Sequence, residues 1–142
     1  MERQIATTQD QAARLLRCGV PADTADMCYD SGALSLMDYD SAVHERDSRR
    51  ESYEVIPAWS LSRLLSLLPT SIMSPLGNEY MLELSKLRMH DAWEVQWFSG
   101  RDRFRTYDKK KNFHKLWDKS PIEACVKAIE WVTSNGYKLN EQ

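Results

Sequence analysis

Two apolar rhythms divide the chain: stretches in which every third or fourth residue is apolar lie on either side of a stretch that keeps a two-residue period. Thr8 with Gln11 three residues on reads as a capping box, after which Ala12, Leu15 and Leu16 share one face until Gly19 ends a first short helix. Pro21 suits the first position of a second brief helical turn through Met27, giving a helix-turn-helix-like corner. The run Ala33 to Met37 is too short for periodicity to decide between strand and packed turn. From Asp38 to Glu54 both charge signs are dense and apolar periodicity is absent, which predicts a mobile loop. Beyond Pro57, Ser60 caps a compact helix with Trp59 stapled onto Leu64. Leu61, Leu64, Leu65 and Leu68 then face inward until Pro69.

Between Asn78 and Tyr107 the period falls to two. Tyr80, Leu82 and Leu84 alternate with Met81, Glu83 and Ser85, and Trp93, Val95 and Trp97 alternate with Glu94 and Gln96. Short connections at Arg88 to Asp91 and Ser99 to Asp102 predict an antiparallel meander with a third strand over Arg103 to Tyr107. Ile72 and Met73 offer a strand at the other edge. The last helix has the fullest signature: Ser120 as N-cap, Pro121 at the first helical position, Glu123 completing the box, and Asn135-Gly136 closing it. Ile122, Cys125, Val126, Ile129 and Val132 form its apolar stripe, with Trp131 at the rim. The expected fold is α+β, an antiparallel β-meander of three to four strands packed on one face by about three helices. It forms a single domain over 1–142 with a mobile charged loop at about 38–54.

Composition changes this picture little. A chain of 142 residues, 42% hydrophobic and 28% charged with five Trp and six Tyr, can bury a core without disulfide or metal. Met1 to Ile5 lacks the apolar region of a secretory signal, and no apolar run nears the ~20 residues of a membrane span. A cytoplasmic protein with no membrane partner is expected. Cys18, Cys28 and Cys125 are odd in number and widely spaced, which suits core fillers rather than a disulfide framework or zinc site.

Charge alters the picture more. The net charge is −2, yet residues 101–119 hold eight Lys or Arg against three Asp, so the rest of the chain stands at −7. Within that stretch Arg101, Arg103, Arg105, Tyr107, Lys109, Lys110, Lys111 and Lys115 are the candidate binding residues. Cations there would meet phosphates while Phe104, Tyr107, Phe113 or Trp117 stack on bases, or the same groups would anchor an acidic protein partner or a second copy of the chain. The plain alternative is a wet face: on a strand Arg103, Arg105 and Tyr107 project to one side, and Lys109 to Lys111 guard an edge or fill a solvated loop. No nucleophile elbow, zincin helix, Walker loop or dinucleotide fingerprint occurs. His44, His90 and His114 are scattered; the carboxylate pairs Asp23/Asp26 and Asp38/Asp40 have polar neighbours that give no burial to part their pKa values, and Asp23 and Asp26 read as helix-start carboxylates. The expectation is therefore no catalytic residue, no metal and no cofactor: a non-catalytic protein that binds an unknown protein partner or itself, with nucleic-acid binding through 101–119 as the alternative.

Three stretches, Gln11 to Met27, Pro57 to Pro69 and Ile122 to Tyr137, resemble a group of small uncharacterised proteins of gut anaerobic bacteria, their phages and integrated mobile elements. The resemblance spans most of the chain and implies a bacterial or phage origin and one compact domain. It implies no activity, cofactor or site residue.

Overall fold

A computed structural model of the chain describes residues 4–73, 77, 79–87, 91–98 and 112–140. They form an α+β fold with four α-helices and two antiparallel sheets of three and four strands, divided into two compact units, Met1–Leu67 and Leu68–Asn140.

The first unit opens with α1 (Gln9–Arg17). Thr8 Oγ1 accepts from the Gln11 N–H at 3.1 Å and Gln11 Oε1 accepts from the Thr8 N–H at 2.9 Å, so both expected halves of the box form. At the far end Gly19 takes φ +89°, a region closed to most L-residues, and this lets the Val20 N–H return to the Leu15 carbonyl. Ala12 and Leu15 are buried while Leu16 is exposed, so the apolar stripe is narrower than expected.

The corner after Pro21 is shorter than the sequence suggests: a single 3₁₀ turn, Ala22–Thr24, with Pro21 as its N-cap. The chain then extends as β1 (Met27–Asp30), turns through Ser31-Gly32 and returns as β2 (Ala33–Ser35). With β3 (Val55–Ala58) these form the sheet β2-β1-β3, which the sequence reading did not foresee. Cys28, on the face that packs α2, joins Ala42 and Val55 in one apolar cluster. Met27, on the other, meets Ala6 and Ala58.

The stretch expected to be a loop at about 38–54 is instead helical over Tyr39–Ser48, here α2, because Asp38 accepts the Ser41 N–H at 3.0 Å as N-cap. Its only buried residue is Ala42, so the helix lies on the surface and its sequence carries no apolar rhythm. The third α-helix of this unit, α3 (Leu61–Leu67), is capped by Ser60 as expected. Leu64 and Leu67 are buried, whereas Leu61 and Leu65 are only partly so. Trp59 is fully buried, its N–H bonded to Thr7 Oγ1 and its indole N–H to Thr24 Oγ1 at 2.9 Å.

The second unit is the predicted meander with its helix. The strands β4 (Ser71–Met73), β5 (Glu79–Leu87), β6 (Ala92–Phe98) and β7 (Asn112–Asp118) lie in chain order, each antiparallel to the next. Across the sheet Val95 opposes Leu84 and Leu116, and Trp97 opposes Leu82. That face receives α4 (Pro121–Ser134), whose Ile122, Cys125, Val126, Ile129 and Val132 are all buried. Fully burying each such Ile or Val contributes about 1.5–3 kcal/mol. Trp131, placed at the rim by its helical phase, stacks on Trp97 with ring centroids 5.4 Å apart and on Tyr137 at 5.8 Å. The Trp97 indole N–H finds the Pro69 carbonyl at 3.1 Å, so its polar edge is satisfied in the core.

Candidate functional site

Of the candidate binding residues, Arg101, Arg103, Arg105, Tyr107, Lys109, Lys110 and Lys111 lie outside the described residues, as does the strand expected over Arg103 to Tyr107. Lys115 is placed on β7, so the basic segment before the last helix is in part a strand rather than a loop. Pairing of Trp97 and Phe98 with β7 shifts register between those two residues, a local irregularity that ends the regular ladder there.

Strand alternation sorts β7 into two sides. Leu116 opposes Val95 and so faces α4, whereas Lys115 opposes Gln96 and Trp117 opposes Glu94 on the other side. There Trp117 is 58% exposed, an unusual position for the largest apolar side chain. Met81 and Met73 share that side, because Ile72 and Tyr80 oppose one another on the α4 side, and both methionines are at least half exposed. The sequence did contain this signal: the alternation that turns Leu82 and Leu84 towards Trp97 and Val95 puts Met81 with Glu83 on the other side.

Glu83, Gln96 and Lys115 form one row across three strands. Gln96 Nε2 donates to Glu83 Oε2 at 3.4 Å, while Gln96 Oε1 is buried with no donor among the described residues. At the outer edge the Lys127 ammonium lies 3.2 Å from Asp118 Oδ1 and 3.3 Å from the Trp117 carbonyl, and Lys119 is exposed next in the chain. The exposed indole thus has Lys115 beside it on the strand and Glu94 directly across from it, with Lys119 exposed just past the strand's end, and the β5 side carries Glu79 and Glu83.

The polar residues of the first unit serve structure. Asp26 accepts from the Ser60 N–H at 2.9 Å and from its hydroxyl at 2.5 Å, while Ser60 Oγ accepts the Arg63 N–H at 3.2 Å. Arg63 Nε donates to the Thr24 carbonyl at 2.6 Å. Asp26, read from sequence as a helix-start carboxylate for its own turn, therefore braces the start of α3 instead. Asp38, expected to open a loop, instead caps α2, and hydrogen bonds from Ser41 hold its carboxyl below the usual range. His44 is exposed on α2 beside a shallow, open concavity with Asp40, Glu45 and Asp47. Burial pushes the Cys125 thiol up to about 12. It also raises that of Cys28, helped by nearby Asp30, so both stay protonated near neutral pH.

Among the described residues no group of three or more His, Cys, Asp or Glu is placed to hold a metal ion, and no helix is long and apolar enough to cross a membrane. No protein-family model, no curated protein and no solved structure matches the chain.

Proposed function

We propose that this is a non-catalytic, cytoplasmic protein-interaction protein that uses the side of its four-stranded sheet facing away from α4. The observation that carries the reading is Trp117, an indole exposed on the outer strand beside Lys115, with Met81 and Met73 on the same side. Aromatic anchors of this kind dominate binding energy when a partner desolvates them, and methionines adapt to varied apolar surfaces. Lys115 on the outer strand and Lys119 just past its end lie on either side of Trp117 in the chain and are both exposed, so the favoured partner is a protein segment that is acidic where it meets them and apolar where it meets Trp117. The resemblance of the chain's helices to small proteins of gut anaerobes and their phages supports an origin in such a bacterium, phage or mobile element. A phage or mobile-element programme is a setting in which a small binding protein with no chemistry of its own is useful.

The second reading is nucleic-acid binding, with the cations of 101–119 on phosphates and Trp117 stacking on an unpaired base. Salt separates the two. A random-peptide display library panned against the chain should enrich segments in which acidic residues accompany apolar ones, and a Trp117→Ala chain should fail to bind them. In parallel, anisotropy of labelled single-stranded and duplex DNA and RNA should show no binding at physiological salt. Oligonucleotide affinity that falls steeply with salt and is lost when Lys109, Lys110 and Lys111 are all replaced by Ala would transfer the assignment to nucleic acid. Enriched peptides that bind Trp117→Ala equally well would remove this side of the sheet from consideration.

A further inference from the structure

The first unit carries a second unpaired surface, of different character. Ser31 and Gly32 both take positive φ, +52° and +89°, which makes the β1–β2 connection a two-residue turn of the type that matches strand twist. Such a turn is closed by a hydrogen-bonded pair, here Asp30 and Ala33, and hydrogen-bonded and non-hydrogen-bonded pairs alternate along an antiparallel ladder. The pair Tyr29 and Leu34 is therefore of the second kind, and the Leu34 N–H and C=O point outward from the sheet. On the opposite flank the N-terminal segment pairs just past the end of β3, where the Thr7 N–H bonds the Trp59 carbonyl at 2.9 Å and Ala6 bridges Ser60. Among the described residues, nothing pairs with the outer side of β2.

Exposed edges are commonly protected by a lysine, a proline or a bulge. β7 follows that rule, with Lys115 on the strand and Lys127 reaching the Trp117 carbonyl. β2 does not: Ala33-Leu34-Ser35-Leu36-Met37 contains neither charge nor proline, yet Leu34, Leu36 and Met37 are 37%, 79% and 41% exposed. Apart from its brevity of three residues, the strand carries no device against pairing.

We infer that β2 pairs with β2 of a second copy of this chain, antiparallel and about a two-fold axis at Leu34, to give one six-stranded sheet. Opposed residues of an antiparallel pair share a face, so a two-fold between identical strands must pass at a single residue. At Leu36 it would set Leu34 against the Asp38 carboxylate. At Ser35 the pairing would run through Leu36 and Met37, which lie beyond the end of β2 in the bend closed by the Met37 N–H on Ser35 Oγ. At Leu34 it uses the strand as it stands. The two Leu34 residues exchange their outward N–H and C=O groups and Ala33 opposes Ser35, so the two Leu34 side chains meet on one face. The small–Leu–small order is symmetric about Leu34, and with no charge on the strand nothing repels an identical partner. The contact is far smaller than the ~1,200 Å² of a stable complex, so dissociation constants of ~0.1–1 mM and rapid exchange are expected.

Sedimentation velocity of the full chain, raised in concentration to ~1 mM, tests this. The weighted mass should climb towards that of a dimer, Leu34→Lys should stay monomeric, and Trp117→Ala should associate like the wild type, which separates this contact from the proposed partner surface. A wild-type chain that remains monomeric, or association that Leu34→Lys leaves intact, overturns the inference. Register is read by oxidation in a Cys18→Ser background. Leu34→Cys places the same residue across the axis at a Cα separation of about 5.5 Å, inside the ~4.4–6.8 Å window for a disulfide. Random collision favours the more exposed Leu36→Cys, so faster cross-linking of Leu34→Cys supports the paired register. The reverse order overturns it.

Discussion

Removing the Asp26 carboxylate should be among the costlier single changes in the first unit, although Asp26 lies outside every apolar stripe. Its two oxygens accept from the Ser60 N–H at 2.9 Å and hydroxyl at 2.5 Å, 34 residues away, and Ser60 Oγ in turn caps the Arg63 N–H. Hydrogen bonds to a charged acceptor are worth about 1.5–3 kcal/mol when buried. With both residues only partly covered, Asp26→Ala should cost ~2–4 kcal/mol. Ser60→Ala removes one of those bonds and the cap, so a loss of ~1.5–3 kcal/mol is expected. The two share a bond, and the double variant should therefore lose ~1–2 kcal/mol less than the sum. Asp26→Asn, which can still accept from the Ser60 N–H, should fall between wild type and Asp26→Ala. Urea titrations followed by circular dichroism supply all four stabilities, with unchanged slopes as the control. An Asp26→Ala loss below ~0.5 kcal/mol, or losses that add fully, would refute the bracing role, because surface substitutions without such a role stay within that range.

Ile129→Asp places a carboxylate within the fully buried stripe of α4 and should abolish cooperative unfolding of the second unit; an unchanged melting temperature would mean that α4 is not docked on β6 and β7. Stability should also report the Cys125 thiol, whose pKa stands near 12 in the folded chain against 9.0 for the free side chain. Above pH 9 the unfolded chain releases this proton first, so the contribution is constant below pH 9 and then lost at about 1.4 kcal/mol per unit towards pH 12. Between pH 8 and 10 the wild type should lose ~1–1.5 kcal/mol relative to Cys125→Ala, and parallel pH curves for the two would refute the burial argument.

What could be read in the sequence was what depends on neighbours in sequence. The box at Thr8/Gln11 and the cap of Ser120 on the Glu123 N–H are closed by bonds three residues apart, so their residue types suffice to locate α1 and α4, although the Ser120 N–H goes to Asp118 Oδ2. The alternation of β5 and β6 was legible because one side packs on α4 and the other does not. β1 and β3 were missed because they are four residues long and are defined by each other, with Cys28 against Pro57, and Pro57 reads locally as a lead-in to α3. α2 was missed for a different reason: a helix that buries only Ala42 has no apolar period to display, though Asp38 was a usable N-cap. For the candidate site, Lys115 and Trp117 were identified as chemistry. That they share a side follows from strand alternation, but that this side faces away from α4 depends on pairing with β6, which no local pattern encodes.

The stack of Trp97 on Trp131 makes the joint between sheet and helix optically active. Two indoles 5.4 Å apart and 28° from parallel couple their electronic transitions, adding to the far-ultraviolet dichroism a paired positive and negative band that belongs to neither helix nor strand. Helix content fitted to that spectrum would be distorted, and the distortion should vanish in Trp131→Phe with the backbone unchanged. The same band offers a clock: in a stopped-flow experiment its return would time the moment at which α4 reaches the sheet, separately from the moment at which α4 becomes helical.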